Sequence, residues 1–261
     1  MVNIFTSSVK EPNPYFSEQP RQEGEDNLRW LTRVMQPDDK GYADILLLGG
    51  STLSAFRLRG AQAHLRHDLT PSSWSHVVLL GNPKKSLAAT VLHEISLEPA
   101  GGFGFPVPGN ALQRTKLGDY GDEKLYPNIA HIRVPVDRKK VTQSLVRYQG
   151  QRAVLDGPQL LLLWLGYLWG VGRTTNPLTE GQGMPSAAMI EVVVGASGFD
   201  LTPGLESRSS CPEAIWQAAK WWHEYYEKDK GKECLSGSYS AEHDFFTNPT
   251  EPPDAQKLAS A

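Results

Sequence analysis

Cysteine is scarce in this chain. There are two in 261 residues, Cys211 and Cys234, and neither sits in a CxxC pair. Two thiols cannot build a disulfide framework, and without paired spacing a structural zinc site is not expected. The opening residues, "MVNIFTSSVKEPNPYF", lack a basic segment followed by an apolar one. A secretory leader is therefore not expected, and a reducing, cytoplasmic setting with free thiols is. Export by a specialised route would leave no such mark. Positive charge is not in excess either: 26 Lys and Arg against 29 Asp and Glu give a net charge of −3. That removes the electrostatic ground for nucleic-acid binding, which depends on neutralising phosphates. Long hydrophobic runs are also missing. The segment "LLLLWLGYLWGVG", Leu160 to Gly172, has thirteen uncharged residues, whereas a membrane span needs about 20. It reads as a buried helix or the wall of an apolar pocket. The alternative is a peripheral surface that meets lipid through Trp164, Tyr167 and Trp169.

What is present suits a globular α+β protein. The chain is 39% hydrophobic and 21% charged, long enough for a sizeable core. Residues 1–40 are polar and punctuated by prolines, and read as an N-terminal extension holding one short helix, "DNLRWLTRVM". "YADILLLGG", "SWSHVVLLGN", "ATVLHEIS" and "NIAHIRVPVD" read as strands, ended by glycine, proline or asparagine. "STLSAFRLRGAQAHL" reads as a loop or short helix, "RKKVTQSLVRYQG" as a helix, and "AAMIEVVVGASG" as a further strand. After Cys211, the apolar residues Ile215, Ala218, Ala219, Trp222 and Tyr226 recur at helical spacing. Residues 246–261 read as a flexible tail.

Three residues draw attention as chemistry. Cys211 stands where "SRSS" gives way to the helix "PEAIWQAAKWW", with Pro212 in the first turn and Glu213 beside it. A thiol there faces unpaired backbone N–H groups that can stabilise a thiolate or an oxyanion. A buried, inert cysteine is the alternative. His76 opens the apolar strand "HVVLL", rigid enough to hold an imidazole and exposed enough to meet a substrate. Glu94 lies inside the apolar strand "VLHEIS", where a buried carboxylate is costly unless paired. If these strands are antiparallel neighbours, Glu94 can hydrogen-bond His76 and orient it, with His93 pointing to the opposite face. A plain core hydrogen bond is the alternative. Asp44, at the start of the first strand, reads as a carboxylate bonding local N–H groups, and Cys234 reads as incidental.

The order "ADILLL … WSHVVLLG … VLHEIS … SCPEAIWQA" resembles the circularly permuted branch of the NlpC/P60 papain-like superfamily, which includes the lecithin:retinol acyltransferase-like group. The four blocks lie between about 42 and 222. Ala43 stands where that family usually has glycine, and Pro212 follows the cysteine where serine is usual. The resemblance implies a permuted papain-like fold, an antiparallel sheet packed against the helix that begins at the nucleophilic cysteine. It also implies a catalytic domain over 41–245, with a large insertion at about 99–190. It further implies Cys211 as nucleophile, His76 as base and Glu94 as the orienting group, acting through a thioester on a peptide, amide or lipid acyl bond, with no cofactor or metal. The apolar run and Trp216, Trp221 and Trp222 incline the reading toward a hydrophobic acyl group. Two other readings stand beside it. One is a non-catalytic binding module of the same fold. The other is a nucleotide-binding α/β protein, from "ILLLGGSTLSAF", although GxGxxG and GK[ST] are both missing.

Overall fold

A computed structural model describes residues 16–35, 40–97, 112–150, 156–226 and 235–241. The apolar runs become strands: β1 (Phe16–Glu18), β2 (Tyr42–Gly49), β3 (His76–Leu80), β4 (Val91–Glu94), β5 (Gln113–Lys116), β6 (Asn128–Asp137) and β7 (Ser236–Ser240). Six α-helices accompany them among the described residues: α1 (Asn27–Val34), α2 (Leu53–Ala61), α3 (Arg138–Gly150), α4 (Asp156–Trp169), α5 (Pro185–Gly195) and α6 (Pro212–Tyr226). The strands form one sheet in the order β1-β7-β6-β2-β3-β4-β5. Every neighbouring pair is antiparallel except β1 and β7, which run parallel. The fold is thus α+β with a mixed sheet. Because β2 and β3 flank α2 and run antiparallel, they are not the parallel pair of a βαβ nucleotide-binding unit.

Strand alternation divides the core in two. Ala43, Ile45 and Leu47 of β2 face the larger cluster, together with Val77 and Leu79 of β3 and apolar residues of α3 to α6. Leu46 and Leu48 face the other way, against Val78, Leu80 and Leu92 and against Trp30 and Leu31 of α1. Each such leucine contributes roughly 1.5–3 kcal/mol through its burial. The sheet is covered on both faces.

Four expectations change here. Residues 16–35 are not an extension: β1 pairs with β7, and Trp30 is fully buried, its Nε1 donating to the Gln19 carbonyl at 2.7 Å. The region 99–190, expected as a large insertion, supplies β6, which lies between β2 and β7 within the sheet. "AAMIEVVVG" is helix α5, not a strand. Pro185 opens it, and Met189, Ile190, Val193 and Val194 make a fully buried helical stripe that overrides β-branched propensity. The helix laid across β3 is α5, whereas α6 reaches the β1–β7 end of the sheet. There Trp216 packs edge-to-face on Phe16 and Tyr239. Residues 160–169 of the run at 160–172 lie in helix α4, with Leu161, Trp164, Leu165 and Leu168 buried and Leu162 and Trp169 exposed. No described helix is long and apolar enough to cross a membrane. The loop expected at 99–109 and the tail 246–261 lie outside the described residues.

Candidate functional site

Where β2 ends and β3 begins, the chain leaves an open cavity of about 80 Å3. Its floor is the Gly50–Ser75 corner, closed by a bond from the Gly50 amide to Ser75 Oγ at 2.9 Å. His76, the first residue of β3, stands in its wall. β3 and β4 are antiparallel neighbours with Leu79 opposite His93 and Leu80 opposite Leu92, which brings Glu94 onto the same face as His76. His76 Nε2 lies 2.5 Å from Glu94 Oε2. The same oxygen accepts from the Tyr120 hydroxyl at 2.6 Å, and Thr115 Oγ1 donates to the other oxygen. Burial disfavours the charged Glu94, but the His76 bond, and after it those of Thr115 and Tyr120, outweigh burial and hold its pKa below the ordinary carboxylate value. An ionised carboxylate only accepts, so Nε2 is the donor and Nδ1 is the lone-pair nitrogen of the neutral ring.

Sequence reasoning had no signal for Tyr120 or Thr115. "LGDYGDEK" carries no motif, and only the β4–β5 register, with Leu92 opposite Thr115, places Thr115 beside Glu94. Burial, then the neighbouring carboxylate, push the Tyr120 phenol well above its ordinary pKa, so it stays a donor. His93, on the opposite face, is lowered to about 4 by burial and by Arg114.

Cys211 is not part of this arrangement. The cavity is lined by Pro212 but not by the thiol, which is fully buried. The nearby amides of Glu213 and Ala214 favour its thiolate. The helix start was expected to favour a thiolate, and burial reverses this. Desolvation comes first, and the carboxylates of Glu213 and Glu191 add to it, pushing the thiol to about 12 despite the two amides. The free capacity of the helix start is also taken, since the Glu213 amide donates to Gln62 Oε1 at 2.8 Å. Glu213 is itself buried and accepts from Ser72 Oγ at 2.6 Å. The structure brings His76 and Glu94 together and leaves Cys211 out.

The remaining candidates also fall away from the cavity. Asp44 binds side chains, not local amides: His131 Nε2 at 2.8 Å, Arg133 Nε at 3.0 Å and Arg138 Nη2 at 2.6 Å. Burial works against this carboxylate, yet His131 and Arg133 outweigh it and keep its pKa low. This is a buried ionic clasp between β2, β6 and α3. His64 and His67 are exposed. Cys234 lies outside the described residues. No group of His, Cys, Asp and Glu among the described residues is arranged to hold a metal ion.

No family model, curated protein or solved structure matches the chain.

The cavity wall opposite His76 is apolar, with Leu58, Val77, Ile95, Leu97 and Met184 contributing. Among the described residues, neither the 160–172 helix nor Trp216, Trp221 and Trp222 reach it. The apolar surface that inclined the sequence reading toward an acyl group therefore comes from other residues. Ser186 and Pro185, the first residues of α5, complete the wall.

Proposed function

We propose that the chain is an acyl hydrolase or acyltransferase acting on an ester or amide bond at the His76 cavity, with His76 and Glu94 as the base and its orienting group and without Cys211 as nucleophile. The observation that carries this reading is the His76–Glu94 pair, with Nε2 held by a buried carboxylate and Nδ1 left as the basic nitrogen. In this reading His76 takes a proton from the attacking nucleophile and returns it to the leaving group. Glu94 fixes the ring and stabilises the imidazolium, with Tyr120 and Thr115 fixing Glu94. The apolar wall takes the acyl portion. A cavity of roughly 150 Å3 holds a benzene ring, so about 80 Å3 suits a short acyl chain or small side chain better than a long lipid tail.

The test is turnover of a series of p-nitrophenyl esters and acyl anilides, from acetyl to decanoyl, by wild type and His76→Ala. The expected result is a preference for short acyl groups and a loss of about 100-fold or more in kcat for the variant, the usual contribution of a general base. Equal rates for the two proteins would sink the assignment of His76.

A second reading is favoured by one observation, the burial of Cys211. Without that thiol the cavity could bind an acyl or amide ligand and not turn it over. Saturable binding to wild type, lost in His76→Ala and unaccompanied by product, would establish this reading in place of the first.

A further inference from the structure

We propose that the exposed side of α4 and the turn after it, together with the adjoining face of α2, dock on an anionic membrane surface. Docking of this kind goes beyond the acyl-transfer reading and holds whether or not the cavity turns over esters. Nine large apolar residues are exposed among the described residues, and Leu162, Trp169 and Val171 are three of them, at 68%, 72% and 61%. Leu162 and Trp169 are two helical turns apart on α4 and so share one side of it. Leu161, Trp164, Leu165 and Leu168 hold the other side in the core. Single apolar side chains on a surface are ordinary, but a stripe closed by an exposed indole suits a lipid interface.

The surrounding backbone is held in place. The chain leaves α4 through Gly170 and Gly172, both at positive φ, with Val171 between them and Arg173 after them. The Val171 amide donates to the Gly166 carbonyl at 3.0 Å, which fastens this turn to the end of the helix. Arg57 Nη1 of α2 donates to the Leu168 carbonyl, and Asn176 Nδ2 donates to the Ala61 carbonyl at 2.8 Å. The two helices therefore present one continuous face. Leu53, one turn before Arg57 on α2, is also exposed.

Charge selects the partner. Residues 157–179 hold one charged side chain, Arg173, and residues 51–67 hold no Asp or Glu. Arg57 and Arg173 are exposed, on a chain whose net charge is −3, so this face reverses the sign of the whole. Anionic headgroups supply the missing counter-charge, and the layer beneath them takes Trp169, Val171 and Leu162. A twofold contact between two copies would instead set these arginines against one another with no carboxylate to pair them. Thr52, Ala55 and Leu58 of α2 line the His76 cavity, so the docked chain holds that cavity close to the bilayer.

The test is sedimentation of the full chain with sucrose-loaded vesicles, of phosphatidylcholine alone or with about 30% phosphatidylserine. Wild type is compared with Trp169→Ala/Val171→Ser, Trp169→Phe and Arg173→Glu, each checked for native fold by circular dichroism. Wild type is expected to bind the anionic vesicles and to be released as salt rises from about 50 to about 500 mM. Binding should fall at least ~10-fold in the double variant and about 10-fold in Arg173→Glu. Trp169→Phe should still sediment but lose the blue shift of tryptophan emission that vesicles cause in wild type, which places the indole in lipid. A folded double variant that sediments like wild type overturns the proposal. Equal binding of wild type to neutral and anionic vesicles does the same, as does binding to neither. If wild type binds neither and self-associates in analytical ultracentrifugation, and the double variant does not, the face belongs to a second copy.

Discussion

Three buried carboxylates set opposing pH slopes at the residue scale. Glu94 and Asp44 have folded pKa values below ordinary ones of 4.5 and 3.8. The stabilisation they bring is present above those values and is lost as pH falls through the folded values. Glu191, buried in α5, is the reverse case. Desolvation is the main cause, opposed by the neighbouring Thr202 and by a bond from Ser210 Oγ at 3.1 Å, and its pKa rises from 4.5 to about 7. The folded chain binds more protons than the unfolded chain between 4.5 and 7, so stability falls as pH rises through that window. Glu191→Gln keeps the acceptor for Ser210 and removes the titrating group. The variant is expected to be more stable than wild type at pH 8, by on the order of 2 kcal/mol, and close to it at pH 4.5. Urea unfolding at the two pH values measures this, and an equal difference at both would show that Glu191 does not titrate in the folded chain. Glu94→Gln should flatten the acid limb below pH 4.5 in a thermal melt series. A limb as steep as that of wild type would assign the acid loss to other groups.

At the scale of elements, some parts of the chain were readable from sequence and others were not, for reasons of periodicity. β2 and β3 announce themselves as short β-branched or leucine-rich runs ended by turn residues, and the pairing of His76 with Glu94 follows from the adjacency of β3 to β4. α5 was hidden because "AAMIEVVV" is apolar at every position but Glu191, so neither a period of two nor one of 3.6 stands out. Pro185 and the residues before it were the better signal. Cys211 misled for a related reason. The sequence shows a thiol at a helix start but not the depth at which that start lies, and depth decides whether the thiol ionises. A second element depends on a single close approach. Gly237 in β7 lies so near β6 that an added Cβ would sit 2.0 Å from the His131 carbonyl. Gly237→Ala is therefore expected to break the β6–β7 pairing and to lower the melting temperature by several degrees, given roughly 2–4 °C per kcal/mol for a chain of this size. Unchanged thermal stability would mean that β7 moves aside at no cost.

For the whole molecule, the sheet order runs against chain order at one edge. β1 hydrogen-bonds to β7, β7 to β6, and the α1 core under β2 and β3 depends on the segment that β1 begins. The sequence read as an N-terminal extension over residues 1–40 because the stretch is polar and punctuated by prolines, and composition does not show where a short strand finds its partner. The consequence concerns synthesis. β1 is made early, but Phe16–Glu18 can pair only once Gly237–Tyr239 exist. Roughly 220 residues separate them, which at about 5–20 residues per second is a wait of roughly 10 to 45 s. For about the last 100 residues of that interval, roughly 5 to 20 s, β6 presents an open edge along Ile129–Arg133, the row that β7 later covers. The nascent protein thus passes through a period in which a chaperone, or another copy of the same unfinished chain, can take the place of β7.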